Sequence, residues 1–147
     1  MSLAERETRL ITELRSVQNA QDRLAWIVKR GRQSSPLDEA SKRDEFLVPG
    51  CLSRLWLISS FQDLHCFFNC DSDSAIVKGT GVLVCELYSD CSPVEILDHD
   101  ETGLASAGIS SLLTPNRRNG LGSLIKAIRA FASTQHGCSA IFRNHES

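Results

Sequence analysis

Apolar residues near the start of the chain recur with the period of a helix. Leu10, Ile11, Leu14 and Val17 fall at i, i+1, i+4 and i+7, the stripe of an amphipathic helix. Asn19 or Asp22 can open a second helix, with Leu24, Ala25, Trp26, Ile27 and Val28 on its apolar side. Gly31 follows Lys29 and Arg30 and is expected to end it. From Gly31 to Glu45 the chain turns polar, with Ser34-Ser35-Pro36 and Lys42-Arg43-Asp44-Glu45, and reads as a surface loop with room for a helical turn.

The period then changes. Val48-Pro49-Gly50-Cys51 reads as a loop entering an extended segment. Ser53 to Ser60 holds the short apolar run Leu55-Trp56-Leu57-Ile58, of strand length. A turn over Ser60 to Asp63 leads to a second strand, Leu64 to Asn69, so an antiparallel hairpin is expected directly after Cys51. Asp71 to Ser74 is rich in helix-capping residues. Ile76, Val77, Thr80, Leu83, Val84 and Leu87 return to helical spacing. Gly79 and Gly81 each cost this helix about 1 kcal/mol relative to Ala, which points to close packing. Ser92-Pro93-Val94-Glu95 fits a capping box with Pro at the first position of a short helix ending at Leu97 or Asp98. Residues 98–108 read as loop. Thr114-Pro115 repeats the cap, and Leu121, Leu124, Ile125, Ile128, Phe131 and Ala132 form a stripe ending near Thr134. From Gly137 to Ser147 a loose tail is expected. The whole is α+β: one domain over 1–147, with a short antiparallel sheet packed against N- and C-terminal helices.

Composition narrows the function. The 147 residues carry a formal charge of −2, which gives no global pull toward nucleic acid or an anionic membrane. No apolar run has transmembrane length, and the charged start from Glu5 argues against a secretory signal. Charge is uneven locally. Six acids and no Lys or Arg lie between 86 and 101, while Arg117, Arg118, Lys126 and Arg129 stand without an acid between 114 and 131. Solvated helix faces are the plain reading; a basic rim meeting an anionic group is the sharper one.

Six cysteines stand at 51, 66, 70, 85, 91 and 138 with no CxxC pair, so neither a zinc knuckle nor a two-thiol redox motif is supported. On one strand face Cys66 and Cys70 would be roughly 13 Å apart, too far for a disulfide or a shared metal. Free thiols in a reducing compartment are expected. Cys51 differs from the rest by position, because Pro49 fixes the backbone before it and Gly50 removes a side chain beside the sulfur. A cysteine hydrolase would need an oriented histidine base, and His65, His99, His136 and His145 lie in no recognisable motif. The pattern favours a thiol that reacts with another sulfur. A nearby cation lowers a thiol pKa, and Arg117 and Arg118, at the start of the last long helix, are the candidates.

Three ordered blocks resemble the SufE family. Val48-Pro49-Gly50-Cys51-Leu52-Ser53-Arg54-Leu55-Trp56 is similar to its G-C-x-S-x-x-W signature. Asp71-Ser72-Asp73-Ser74-Ala75-Ile76-Val77-Lys78-Gly79 is similar to its D-S-D-x-x-I-V-K-G block. Leu113-Thr114-Pro115-Asn116-Arg117-Arg118-Asn119-Gly120-Leu121 is similar to its L-T-P-x-R-x-x-G-L block. Asp22 to Val28 with Gly31-Arg32 resembles its N-terminal helix, so the likeness spans about 10–132. The resemblance implies an α+β fold like that of IscU-type scaffolds. It implies a sulfur acceptor for a cysteine desulfurase in iron–sulfur cluster assembly, an accessory protein rather than a stand-alone enzyme. Carried over, Cys51 takes the persulfide sulfur, Arg117 lies near it and steadies the thiolate, and Gly50, Ser53, Trp56, Asp73 and Lys78 support the loop. The pyridoxal phosphate belongs to the partner, so this chain needs no cofactor or metal. A downstream iron–sulfur scaffold would receive the sulfur, and a homodimer is compatible with the sequence. Leu52 and Asn119 stand where familiar members carry Gln.

The other readings are an iron–sulfur scaffold, which needs several converging ligands, and a thiol redox sensor, in which peroxide would oxidise Cys51. The expected location is the cytoplasm.

Overall fold

The structure, a computed structural model, describes residues 2–51, 53–100 and 109–146. The fold is α+β. Helix α1 (Leu3–Ser16) is capped by Ser2, whose hydroxyl accepts from the Glu5 amide, and α2 (Ala20–Gln33) by Asn19, which accepts from the Asp22 amide. Two 3-10 turns, Glu39–Ser41 and Asp44–Phe46, punctuate the polar stretch that follows. Strands β1 (Leu55–Gln62) and β2 (His65–Ser72) form an antiparallel hairpin. Helix α3 (Ala75–Tyr88) comes next, capped by Ser74, then α4 (Pro93–Asp98), capped by Ser92. A single turn, α5 (Ile109–Leu112), precedes α6 (Pro115–Glu146).

The core is organised around α3, which is buried at nine consecutive or near-consecutive positions from Gly79 to Tyr88. It lies between α2 and β2, and α6 packs on α3, α4 and β1. The sheet therefore has its broadest helical contact with this central helix, and meets the C-terminal helix through β1. Cys66, Phe68 and Cys70 alternate onto the buried face of β2, as period two requires. Phe68 meets Phe131 of α6 edge-on, with ring centroids 5.8 Å apart.

Four boundaries differ from the pattern reading. Gly31 does not end α2. It lies inside the helix, where a Cβ would stand 2.8 Å from the Gly79 Cα, so the Gly31–Gly79 pair lets α2 and α3 touch backbone to backbone. The hairpin turn is two residues, Asp63 and Leu64, both with positive φ (53° and 67°), so the first strand is shifted two residues later and the second runs on to Ser72. Asp71 and Ser72 finish β2 opposite Trp56 and Leu55 rather than opening a helix. Helix α6 continues to Glu146 instead of giving way to a tail at Gly137. One glycine costs a helix about 1 kcal/mol, and no proline follows to stop it. The loop expected at 98–108 falls largely outside the described residues. Among the described residues, no helix is long and apolar enough to cross a membrane.

Candidate functional site

The segment before Cys51 is tied down at its base. Leu47 forms an isolated antiparallel bridge with Trp56, and the Val48 amide donates to the Leu55 carbonyl at 2.8 Å. Trp56 is buried, and Lys42 Nζ lies 5.8 Å from its ring centroid. Across the hairpin from Trp56, Asp71 is only 4% exposed. Its carboxylate accepts from the amides of Leu37 (3.1 Å) and Ser72 (2.8 Å) and pairs with Lys78 at 3.4 Å and Lys42 at 3.6 Å. Burial works to raise the Asp71 carboxyl. The two amide bonds and the Lys78 ammonium outweigh it and hold the group below its ordinary value. The polar loop is thus pinned to the end of β2 and the start of α3 by one buried acid.

The tip of the loop rests on α6. Gly50 has φ of +85°, the left-handed region that favours glycine, and a Cβ there would also meet Ser123 Oγ at 2.9 Å. Cys51 is half-buried, and its thiol points to the Gly120 carbonyl at 3.7 Å. Burial pushes the thiol pKa up. A cavity of about 240 Å³ opens beside the sulfur, lined by Cys51, Ser53, Val77, Thr114, Asn116, Arg117 and Gly120. Thr114 caps α6 by accepting from the Arg117 amide (3.4 Å), so the positive end of that helix borders the cavity.

The structure brings Cys51, Ser53 and Arg117 to one cavity, with Gly50 beside them and Trp56 beneath the loop. Arg117 lines the cavity without a hydrogen bond to the Cys51 sulfur, and burial is what governs the thiol in this arrangement. Lys78 pairs with Asp71, whose other partners lie in the polar 34–45 stretch and at Ser72 rather than in the Cys51 loop. Asp73 is exposed, and its amide reaches only the Arg54 carbonyl at 3.4 Å. The buried acid of this block is Asp71, two residues earlier, and it holds the polar 34–45 stretch. Asp71 and Gly120 lie inside the matched blocks, but nothing in the local pattern singles them out. Asp71 is on the strand face that alternation assigns to solvent, and a distant loop buries it.

The other described cysteines are buried. Cys66 bridges Cys91 through backbone hydrogen bonds, and desolvation pushes their thiols up to about 11 and about 12 respectively. Cys138 lies in α6. His99 is a packing histidine, held between Glu7 (2.5 Å) and Tyr88 (2.8 Å), while His65 pairs with Asp90 at the hairpin end. The uneven charges are partly used in the fold. Arg129 donates to the carbonyls of Ile96, Leu97 and His99 at the end of α4, and Arg30 pairs with Glu86. Arg118 and Lys126 remain exposed on α6.

Comparison with solved structures gives the fold independent support. A solution structure of a hypothetical protein from Thermus thermophilus superposes with a TM-score of 0.75 over 90% of this chain and 96% of that one, at 14% identity. The SufE family model, described as an Fe-S metabolism associated domain, matches residues 8–132, which include the Cys51 loop, Asp71, Lys78 and the Arg117 turn. The chain belongs to the SufE family, associated with iron–sulfur metabolism.

Proposed function

We propose that Cys51 accepts sulfur from the persulfide of a pyridoxal-phosphate-dependent cysteine desulfurase, relieves that enzyme for another turnover, and passes the sulfur to an iron–sulfur scaffold. The observation that carries this reading is the contrast among the described cysteines. Four are buried, and Cys51 alone is half-buried, on a loop beside an open cavity.

The transfer asks little of the protein beyond placing a thiolate. The Cys51 thiolate attacks the outer sulfur of the partner's persulfide, the old sulfur–sulfur bond breaks, and its electron pair leaves on the partner's cysteine as a thiolate. The persulfide hydrogen stays on the transferred sulfur, so nothing is oxidised or reduced overall. No acyl-type base or oxyanion hole is needed, which suits a cavity whose lining residues include no histidine. Arg117 and the positive end of α6 face the same space. Once Cys51 turns into the cavity, they favour its thiolate and the bound persulfide over the neutral forms. The pyridoxal phosphate is the partner's; this chain contributes the acceptor thiol and its surroundings.

Sulfide release from cysteine by a desulfurase, measured with and without this chain, tests the reading. Wild type should stimulate release, and Cys51→Ser, with its fold intact, should not. Equal stimulation by both would refute it.

A further inference from the structure

Helices α1 and α2 both rest on α3 but make little contact with each other. A cavity of about 280 Å³ opens in the gap, of the order that takes small organic molecules. It is separate from the Cys51 cavity. Val77 borders that one and Leu87 this one, and their separation along α3 is about 15 Å. The gap is held open at both ends. Arg6 ties the start of α1 to the end of α3, donating to the carbonyls of Leu87 (3.3 Å) and Ser89. Arg23 ties the link between α1 and α2, its Nε donating to the Val17 carbonyl at 2.8 Å.

Two kinds of surface meet in the cavity. Leu83 and Leu87 of α3 are buried, and with the half-buried Leu10 they make an apolar floor. Charged groups stand around it. Arg30 is already engaged, because it pairs with Glu86 and lies 5.6 Å from the centroid of the Trp26 ring. Arg6 serves first as the tie to α3. Arg9 and Glu13 differ from both. Each lines the cavity, each is exposed, and among the described residues neither enters an ion pair. They are four residues apart on α1 with Arg before Glu, the weaker order for pairing along a helix. The cavity therefore offers one uncommitted cation and one uncommitted anion beside an apolar floor. A plain carboxylate would meet repulsion from Glu13, and a plain amine would meet it from Arg9. A molecule that carries a carboxylate and an ammonium on one carbon, with an aliphatic body, satisfies all three surfaces. Neighbours at this helical spacing have Cβ atoms about 5–6 Å apart, close enough to hold both charges of one such molecule.

We propose that this cavity binds a free aliphatic α-amino acid, with its carboxylate on Arg9, its ammonium on Glu13 and its side chain on Leu10, Leu83 and Leu87. The site uses neither Cys51 nor Arg117, so it stands or falls independently of the sulfur-acceptor reading.

The test is amide NMR of the isotope-labelled full chain in low-salt buffer. The probes are L-leucine, isocaproate, which lacks the ammonium, and isoamylamine, which lacks the carboxylate. Leucine should move the amides around Leu10 and Leu83 to Leu87 saturably, with a Kd on the order of 1 mM. Each analogue should bind about tenfold more weakly, the size of one lost bond between charged groups. In Glu13→Gln leucine should lose its advantage over isocaproate, and in Arg9→Gln its advantage over isoamylamine. Both side chains are exposed, and each ratio is read within one variant, so a small change in stability leaves it intact. No saturable movement by about 10 mM leucine, tenfold above the expected Kd, would overturn the proposal. So would movement confined to other parts of the chain, or an advantage that survives in either variant.

Discussion

Replacing Asp71 by Asn tests how the polar 34–45 stretch is held, because it changes charge while keeping shape. The carboxylate is 4% exposed and satisfies four donors, the amides of Leu37 and Ser72 and the ammonium groups of Lys42 and Lys78. Asn offers one acceptor oxygen and turns an NH2 toward groups that also donate. An unsatisfied buried donor costs about 1–3 kcal/mol. Removing one member of a buried ion pair costs about 3–5 kcal/mol. Both lysines keep partial contact with water, so we take the low end, about 3 kcal/mol. For a chain of this length that lowers the melting temperature by about 6–12 °C. The loss should depend on pH with a definite sign. The folded carboxyl lies below its unfolded value, so its contribution is present above the unfolded pKa and disappears as pH falls through the folded one. Urea unfolding of wild type and Asp71→Asn from pH 7 down to acid should therefore show curves that converge. A loss under 1 kcal/mol at pH 7, or a gap independent of pH, would refute the role given to Asp71.

Other perturbations probe separate parts of the structure. Gly79→Ala places a Cβ 2.3 Å from the Ile27 carbonyl, so α2 and α3 must separate; a loss of at least about 1–3 kcal/mol is expected by chemical denaturation. The Cys66 and Cys91 thiols are raised in the fold, so their contribution is intact below the ordinary thiol value and is lost as pH rises toward about 11 and about 12. Stability measured above about pH 9 should fall, and less steeply in Cys66→Ala measured against its own neutral value. Arg117→Ala should slow Cys51 alkylation at neutral pH and move its profile toward alkali, with Arg117→Lys recovering part of the effect; an unchanged apparent pKa would refute thiolate stabilisation by Arg117.

The elements were legible where side-chain period and capping chemistry act locally. Asn19, Ser74, Ser92 and Thr114 each mark a helix start, and the alternation of Cys66, Phe68 and Cys70 marks the buried face of β2. The boundaries that differed depend on distant partners. Gly31 looks like a stop until Gly79 is set against it. Asp63-Leu64 lacks the glycine that usually announces a two-residue turn. At the site, the Cys51 loop was legible from Pro49-Gly50 and from the family blocks. The buried acid Asp71 was not, because two of its partners, the Leu37 amide and Lys42, are far away in sequence. The contact of Gly120 with the Cys51 sulfur was invisible for the same reason: it joins two distant segments.

The central claim is that one thiol carries the transferred sulfur. Mixing the chain with a cysteine desulfurase, pyridoxal phosphate and cysteine, and then measuring intact mass under non-reducing conditions, tests it most directly. Wild type should gain the mass of one sulfur atom, mapped to Cys51, and Cys51→Ser should gain none. A sulfur adduct that persists in Cys51→Ser, or one mapped to another cysteine, would contradict the account.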